Sequence, residues 1–236
     1  TPGSCRRNTL LRVQASRYLR AMKLILSLLT LSAFLAAPLQ AAEHPKFPAE
    51  GFNVVFDGKD LSKIKTTGNW KVQEDKSLKL VPREGEKGWS RYGSYLWLPG
   101  EYADFVVDFE FKYEKDGNSG LYFRISDESD ASANGWEVQI LDCHGKEGKL
   151  GHHDMAGVIR TNGPLENASL PHGEWNRMTV EFKKNQLKVT LNGKLVQDFN
   201  LAEKKPKEKE LAAKGKIAIQ DHGQIFWVRN IQVKSL

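Results

Sequence analysis

Apolar and polar residues alternate along most of the chain from residue 52 onward, with the period of two that a β-strand imposes. The clearest example is residues 104–113, where every second position is apolar: Phe105, Val107, Phe109, Phe111 and Tyr113. Further short runs lie at 52–56, 69–72, 77–81, 118–125, 135–142, 174–182, 187–191, 194–196, 215–220 and 224–233. Asp57-Gly58 and Asn192-Gly193 are turn signals between such runs. About ten to thirteen short strands predict an all-β, antiparallel two-sheet jelly-roll sandwich, with one short helix near 205–213.

The stretch from 118 to 142 contains two such runs, and each separates an apolar face from a polar one. The apolar positions are Leu121, Phe123, Ile125, Trp136, Val138 and Ile140. The opposite positions are Tyr122, Arg124, Glu137 and Gln139. This pattern predicts a sheet with the core below it and a polar site above it. The alternative is a polar face that is merely solvated, as is usual for antiparallel sheets.

The first 41 residues differ from the rest of the chain. Arg20 and Lys23 precede the apolar run 24–35, and Ala41 provides a small residue where a signal peptidase would cut. We therefore expect an upstream extension at 1–21, a secretory signal peptide at 22–41, a short linker at 42–50 and one domain at 51–236. The apolar run is too short for a confident membrane span, so we expect a periplasmic or secreted protein without a stable span after cleavage.

Removing that leader changes the charge of the protein. The whole chain has 35 basic and 29 acidic residues, and six of the basic ones lie before residue 42, which leaves 29 against 29. The composition of the remainder therefore gives no support to a nucleic-acid partner. Of the two cysteines, only Cys143 follows the leader, so no internal disulfide is expected, and Cys143 is interpreted as a small buried residue rather than a reactive thiol.

Six ordered motifs carry a family resemblance across 51–233. They are Phe56-Asp-Gly-Lys-Asp-Leu61, Glu101-Tyr-Ala-Asp-Phe105, Asn118-Ser-Gly-Leu-Tyr-Phe-Arg124, Gly135-Trp-Glu-Val-Gln-Ile-Leu-Asp142, Gly173-Glu-Trp-Asn176 and Ile219-Gln-Asp-His-Gly223 with Val228-Arg-Asn-Ile231. Together they resemble the 3-keto-disaccharide hydrolase family. The resemblance implies a jelly roll of the concanavalin A-like lectin and glucanase type. It also implies chemistry on a small oligosaccharide or glycoside that is oxidised at the sugar C3 position.

A C3 ketone acidifies the C2 hydrogen, so a base can remove that proton and the glycosidic bond can leave by elimination, with water adding afterwards for a net hydrolysis. Such a site needs a base, a donor for the enolate and an acid for the leaving oxygen. We expect Glu137 as the base, Arg124 at the enolate and His222 at the leaving oxygen. The alternatives are a cross-strand ion pair between Arg124 and Glu137 and a turn histidine that bonds its own backbone.

Residues on the same motifs are expected to contact the sugar. These substrate-binding candidates are Asn118, Tyr122, Gln139, Asp142, Gln220 and Trp136. Aromatic rings can also pack on the apolar face of a pyranose, and the loop 88–98 contributes Trp89, Tyr92, Tyr95 and Trp97. The alternative for each ring is ordinary core or sheet packing.

A second cluster combines imidazoles and carboxylates on a glycine-containing stretch. The metal-ligand candidates are His144, His152, His153 and Asp154. A divalent metal ion held there would polarise the 3-keto oxygen as a Lewis acid. The alternative is a solvated loop.

Two other classes of function fit the same sequence. A lectin-like carbohydrate-binding module would use this sandwich without catalysis, because fold alone does not decide function. A glycosidase of the two-carboxylate type would pair Glu137 with Asp142 or Asp108. The first would bind sugar without turnover, and the second would cleave unoxidised glycosides.

Overall fold

Twelve β-strands form almost all of the regular structure in residues 43–236, which are the residues that the computed structural model describes. The strands are β1 (Asn53–Phe56), β2 (Trp70–Val72), β3 (Leu78–Leu80), β4 (Leu96–Trp97), β5 (Phe105–Tyr113), β6 (Asn118–Ile125), β7 (Trp136–Leu141), β8 (Asn176–Lys183), β9 (Gln186–Leu191), β10 (Lys194–Asn200), β11 (Lys216–Ile219) and β12 (Phe226–Ser235). The short helices are α1 (Ala131–Asn134), α2 (Leu201–Lys204) and single 3-10 turns at Tyr92–Ser94 and Glu128–Asp130.

All strand pairs are antiparallel and belong to two sheets. The large sheet has the order β10-β9-β8-β5-β12-β3-β2, and β1 pairs with the far end of β12. The small sheet has the order β4-β11-β6-β7. The predicted all-β architecture of two antiparallel sheets is therefore confirmed.

Aromatic side chains join the two sheets in one core. Phe123 of β6 lies 5.8 Å from Phe105 of β5 and 5.4 Å from Phe182 of β8, measured between ring centroids. The five apolar positions of the 105–113 alternation are all fully buried. Leu121, Phe123, Val138 and Ile140 belong to the same core. The small sheet therefore directs its other face, with Tyr122 and Glu137, away from the large sheet.

Arg124 departs from the alternation predicted for β6. Its backbone has φ +53°, and the pairing of β11 with β6 shifts register between Lys216 and Ala218. Such a bulge reverses the faces of the residues that follow it. Ile125 consequently packs with Tyr122 on the outer face, whereas the Arg124 guanidinium lies 4.7 Å from the centre of the Phe182 ring. The expectation that Arg124 shares the polar face with Tyr122 is wrong.

The helix predicted near 205–213 is also wrong. The helical turn α2 ends at Lys204, and Lys205 is extended with ψ 150°. Pro206 explains this, because proline disfavours the helical conformation in the residue before it. Residues 205–214 instead form an irregular loop that approaches the small sheet, where the Arg124 Nη1 donates to the Ala212 carbonyl.

The N-terminal residues of the described region pack on the outer face of the large sheet. His44 Nδ1 lies 2.8 Å from Thr179 Oγ1, and the Gln232 amide donates to the Lys46 carbonyl at 2.8 Å and accepts from the Ala49 N–H at 3.0 Å. These residues belong to the predicted linker 42–50. The predicted extension at 1–21, with Cys5, and the predicted signal peptide at 22–41 lie outside the described residues. Within residues 43–236, no helix is both long and apolar enough to cross a membrane.

Candidate functional site

A pocket of about 380 Å³ opens on the outer face of the small sheet. Its floor consists of buried side chains from β6, β7 and the end of β11: Tyr122, Glu137, Gln139 and Gln220. Its rim consists of exposed side chains from the β3–β4 loop, Trp89, and from the β7–β8 loop, His153 and Arg160. Asn118, Ser132, Ile159, Lys209 and His222 line the walls. The strand pattern positions the floor, because Tyr122 and Glu137 are directly opposite each other in the β6–β7 pair.

Glu137 is the one carboxylate among the described residues that line this pocket. Its side chain is 9% exposed, and the Tyr122 hydroxyl donates to its Oε2 at 2.7 Å. Burial raises the pKa of Glu137 to about 7, against the opposing effects of the Tyr122 hydrogen bond and the Lys209 charge. A carboxylate with this pKa exchanges its proton readily near neutral pH.

A glycine on the neighbouring strand leaves room for this carboxylate. Gly120 is opposite Gln139 in the β6–β7 pair, and a Cβ atom at Gly120 would lie 2.2 Å from Glu137 Oε1. Any side chain at this position would displace the carboxylate. The glycine of the Asn-Ser-Gly motif therefore contributes to the site by leaving space for the Glu137 carboxylate.

A chain of polar contacts holds the hydroxyl that binds Glu137. Gln220 Nε2 lies 3.4 Å from the Tyr122 hydroxyl and 3.2 Å from the Tyr95 hydroxyl. Burial raises the pKa of both tyrosines far above the ordinary value, so both remain protonated donors at neutral pH. In the amide orientation that gives both ends of the Gln139 side chain a partner, its nitrogen donates to the Ser119 carbonyl at 3.0 Å and to Glu137 Oε1 at 3.3 Å. Glu137 is thus oriented on both of its oxygens.

Lys209 supplies a half-buried cation to the same pocket. Its Nζ donates to the Ser132 carbonyl at 2.9 Å and lies 4.7 Å from the centre of the Trp136 ring. Burial and, to a smaller extent, the nearby Arg160 charge lower the pKa of Lys209 to about 8, while the Glu137 charge opposes the change. The ammonium group is therefore close enough to Glu137 to interact with it electrostatically.

Two amide oxygens at the pocket lack protein partners. In the described part of the chain, Asn118 Oδ1 and Gln220 Oε1 are buried without a hydrogen bond. Both residues line the pocket. Buried acceptors without partners cost folding free energy unless a ligand or water donates to them. Hydroxyl groups of a bound molecule would satisfy both.

His222, the predicted partner of the leaving oxygen, lies in the pocket wall. Burial lowers its pKa, so its imidazole is neutral at neutral pH. Its backbone carbonyl accepts from Gly88 N–H at 3.2 Å, which connects this turn to the loop that carries Trp89. A neutral imidazole can donate one ring N–H to an oxygen in the pocket.

The aromatic candidates divide between the rim, the floor and the interior. Successive ring centroids lie 6.3 Å apart from Trp89 to Tyr92, 5.6 Å from Tyr92 to Tyr95 and 5.6 Å from Tyr95 to Tyr122. Of these, Trp89 and Tyr122 line the pocket, and Trp89 is 50% exposed. Trp97 is buried beside Tyr95. Trp89 is therefore the ring that is available to a sugar at the rim.

Three of the predicted catalytic and substrate-binding residues lie outside the pocket lining. Arg124 Nε donates to the Ala103 carbonyl at 2.7 Å, which makes it a structural residue below the sheet. Trp136 is a core residue with 1% exposure, as expected from its place on the apolar face of β7. Asp142 follows β7 and accepts from Asp116 N–H at 3.0 Å in the turn before β6. The predicted enolate donor and two of the predicted sugar contacts are therefore absent from the pocket.

The proposed metal ligands are not gathered around one point. Asp154 is occupied by Lys146, at 2.7 and 2.8 Å, and by Gly151 N–H, at 2.7 Å. His144 Nδ1 lies 2.7 Å from the Ser169 carbonyl. Within residues 43–236, no group of three or more His, Cys, Asp or Glu side chains is arranged to hold a metal ion. His153 alone of the four candidates lines the pocket.

Sequence reasoning missed Lys209, Arg160, Ser132 and Ile159. Lys209 belongs to the lysine-rich stretch near which the sequence predicts a short helix, and nothing in the charge pattern distinguishes it from the neighbouring lysines. Arg160 follows the predicted metal cluster and has φ +60°. A left-handed arginine has no sequence signature of its own.

Comparisons with known proteins agree with the motifs. A family model described as the 3-keto-alpha-glucoside-1,2-lyase-like domain matches residues 51–234, nearly all of the predicted domain 51–236. A curated Bacteroides thetaiotaomicron protein named 3-keto-disaccharide hydrolase is 24% identical over 244 aligned positions, which cover 85% of this chain and 83% of that protein.

Two solved structures of Parabacteroides distasonis proteins that are named after the glycosyl hydrolases share the fold. One has a TM-score of 0.66 at 22% identity and covers 83% of this chain and 99% of its own. The other has a TM-score of 0.65 at 26% identity and covers 78% of this chain and 99% of its own. The resemblance drawn from the motifs is confirmed, and the chain belongs to the family of 3-keto-alpha-glucoside-1,2-lyase-like domains.

Proposed function

We propose that this pocket is the active site of an exported carbohydrate-active enzyme that cleaves 3-keto-glycosides, with Glu137 as the base. One observation carries the proposal: a nearly buried carboxylate, whose pKa is raised to about 7, forms the floor of a polar pocket. The pocket volume of about 380 Å³ falls within the range of about 300–1,000 Å³ that is typical of small-molecule sites. The leader-like sequence at 22–41 supports export to the periplasm or beyond.

The reaction breaks two bonds and forms one double bond in the sugar. The Glu137 carboxylate takes the proton from C2, which the C3 ketone has acidified, and an enolate forms. Its electrons then form the C1–C2 double bond and expel the glycosidic oxygen, which takes a proton from an acid in the pocket. Addition of water, with hydroxyl at C1 and hydrogen at C2, completes a net hydrolysis. A general base contributes about 10²–10⁴-fold to such a rate.

Lys209 replaces Arg124 as the proposed partner of the enolate. Its ammonium group lines the pocket and interacts with the Glu137 charge, whereas Arg124 lies outside the lining. A fixed cation or donor aimed at developing charge is worth about 3–4 kcal/mol in the transition state. His222 remains our proposed hydrogen-bond donor to the leaving oxygen, since its neutral imidazole carries one ring N–H. The proton itself comes from the Glu137 carboxyl group, which has just taken it from C2 and has a pKa of about 7.

The remaining lining residues suit a sugar. Trp89 presents an exposed ring at the rim, and Asn118 Oδ1 and Gln220 Oε1 are buried acceptors that hydroxyl groups would satisfy. Tyr122 and Gln139 orient the base. A two-carboxylate glycosidase is not favoured, because neither candidate for the second carboxylate lines the pocket. Asp108 accepts a hydrogen bond from Arg177 at 2.8 Å on the outer face of the large sheet, and Asp142 accepts one from Asp116 N–H in a turn.

The test compares a 3-keto-glucoside with its unoxidised parent, following the ultraviolet absorbance of the conjugated enone and the released aglycone. We expect cleavage of the keto sugar alone. Glu137→Gln keeps the size of the side chain and removes the base, so its kcat should fall by about 10²-fold or more. A parallel reaction with a chelator reports whether a divalent ion takes part.

The matched control is Glu181→Gln, which removes a carboxylate from β8 on the large sheet and should leave kcat unchanged. Cleavage of the unoxidised parent would indicate an ordinary glycosidase instead. Sugar binding without turnover of either compound would indicate a lectin-like module. Wild-type turnover by Glu137→Gln would remove Glu137 from its proposed role.

A further inference from the structure

Arg160 occupies a costly backbone conformation at the rim of the pocket. Its φ is +60°, a region that residues other than glycine rarely adopt and that concentrates at functional sites. The turn is fixed to the strand that carries the base, because Ile159 N–H donates to the Glu137 carbonyl at 3.1 Å. Arg160 N–H in turn donates to His152 Nδ1 at 3.1 Å. The backbone of Arg160 is therefore fixed relative to the strand that carries Glu137, and its exposed side chain lines the rim of the pocket.

The charges around Arg160 repel one another. Arg160 and Lys209 line the same pocket, and the Arg160 charge lowers the pKa of Lys209 after the larger effect of burial. His153 adds an imidazole to the same rim. The two nearest acids in sequence are each paired with a lysine at 2.7 Å, Asp154 with Lys146 and Glu166 with Lys194. At neutral pH the lining of the pocket thus carries the cations Arg160 and Lys209 against one carboxylate, with that carboxylate on the floor and Arg160 on the rim.

We propose that Arg160 binds a carboxylate carried by the substrate, with His153 beside it, so that the enzyme prefers anionic glycosides. This inference rests on the proposed function in taking the ligand to be a glycoside. A guanidinium presents a planar fork that matches a carboxylate with two parallel hydrogen bonds. The carboxylate belongs either to the leaving group or to C6 of the sugar, and both sources present the same group to Arg160.

Binding measurements with unoxidised ligands test the preference without catalysis. The three probes are phenyl glucoside, which has no carboxylate, 4-carboxyphenyl glucoside, which carries it on the leaving group, and phenyl glucuronide, which carries it on C6. We expect one of the anionic probes to bind about tenfold more tightly than phenyl glucoside, because a charge-assisted fork is gained. The probe that gains identifies the source. The gain should shrink in 1 M salt, where the screening length falls to about 3 Å.

Two substitutions of Arg160 keep the test independent of folding. Arg160→Gln should abolish the preference while phenyl glucoside still binds as it does to the wild type. Arg160→Gly removes the guanidinium and also relieves the left-handed backbone, so it should melt no lower than the wild type and lose the preference as well. The matched control is Lys184→Gln, which removes an exposed left-handed cation with φ +48° from the β8–β9 turn and should keep the preference.

Equal affinity of the wild type for all three probes would overturn the proposal, as would a preference that survives both Arg160 variants. Failure of the proposed function looks different. If the protein cleaves no 3-keto-glycoside but binds an anionic probe through Arg160, the carboxylate subsite is supported and the proposed enzymatic function is contradicted. If the protein cleaves neutral keto sugars and shows no preference for anionic ligands, the proposed enzymatic function is supported and the carboxylate subsite is contradicted.

Discussion

At the scale of single residues, the site depends on a carboxylate that the fold destabilises. Burial favours the neutral form of Glu137 and raises its pKa from 4.5 to about 7. The Tyr122 hydroxyl and the Lys209 charge offset part of this cost. The same desolvation that makes Glu137 a useful base near neutral pH therefore reduces the stability of the folded protein whenever Glu137 is ionised.

This cost predicts how Glu137→Gln changes stability with pH. The folded protein binds the Glu137 proton more tightly than the unfolded chain does, so this residue lowers the free energy of unfolding as pH rises from 4.5 through about 7. Glutamine does not ionise. Relative to wild type, the variant should gain up to about 3 kcal/mol between pH 4.5 and pH 8. Urea unfolding at both pH values measures this, and an unchanged difference between the two proteins would contradict it.

Glu137 and Lys209 together predict the pH dependence of the rate. The base works when ionised, so kcat/KM should rise as pH passes about 7, and the proposed enolate partner works when charged, so kcat/KM should fall above about 8. We expect a narrow bell between these values. In Lys209→Gln the maximum should be lower and the alkaline fall should disappear. A flat profile from pH 6 to 9 would exclude these two groups as the base and the cation.

At the scale of elements, alternation predicted the faces of the strands where pairing is regular. Leu121, Phe123, Val138 and Ile140 face the core as the period of two requires. It failed at Arg124, because the bulge there depends on backbone geometry and on pairing with β11, which lies about ninety residues further along the chain. Alternation also could not show that Tyr95 and Trp97 bury their rings, since β4 is only two residues long.

On the large sheet, the middle of β5 carries a buried carboxylate that side chains of the neighbouring strands β8 and β12 bind. Asp108 is fully buried. Its oxygens accept from Arg177 Nη2 at 2.8 Å, Thr179 Oγ1 at 2.7 Å and Gln232 Nε2 at 3.0 Å. Removing a buried charge leaves its partners without acceptors, which is more costly than the loss of an exposed ion pair.

We therefore expect Asp108→Ala to lower the free energy of unfolding by about 3–5 kcal/mol. The exposed Asp198 of β10, 4.0 Å from Lys188, provides the matched control, and Asp198→Ala should cost about 1 kcal/mol or less. Chemical denaturation measures both. Because Asp108 lies on the large sheet and the pocket lies on the small one, kcat per folded molecule should be unchanged. Equal losses in the free energy of unfolding for the two variants would refute this account of β5.

At the scale of the whole molecule, the site combines residues whose proximity only the fold determines. Glu137, Tyr122 and Gln139 were predictable, because they alternate on two strands that are adjacent in sequence. Lys209 and Arg160 reach the same pocket from separate loops, and no local pattern distinguishes them from other surface cations. The motifs therefore predicted the floor of the pocket, whereas its rim and its cation required the positions of the loops.

The packing of residues 44–49 on the large sheet determines which side of the molecule would face a solid support if the protein were immobilised near these residues. These residues lie on the outer face of one sheet, and the pocket opens on the outer face of the other. A tether attached ahead of residue 44 would therefore join the molecule on the side away from the pocket. When immobilised through that end on a bead or an electrode, the protein would present its pocket to the bulk solution.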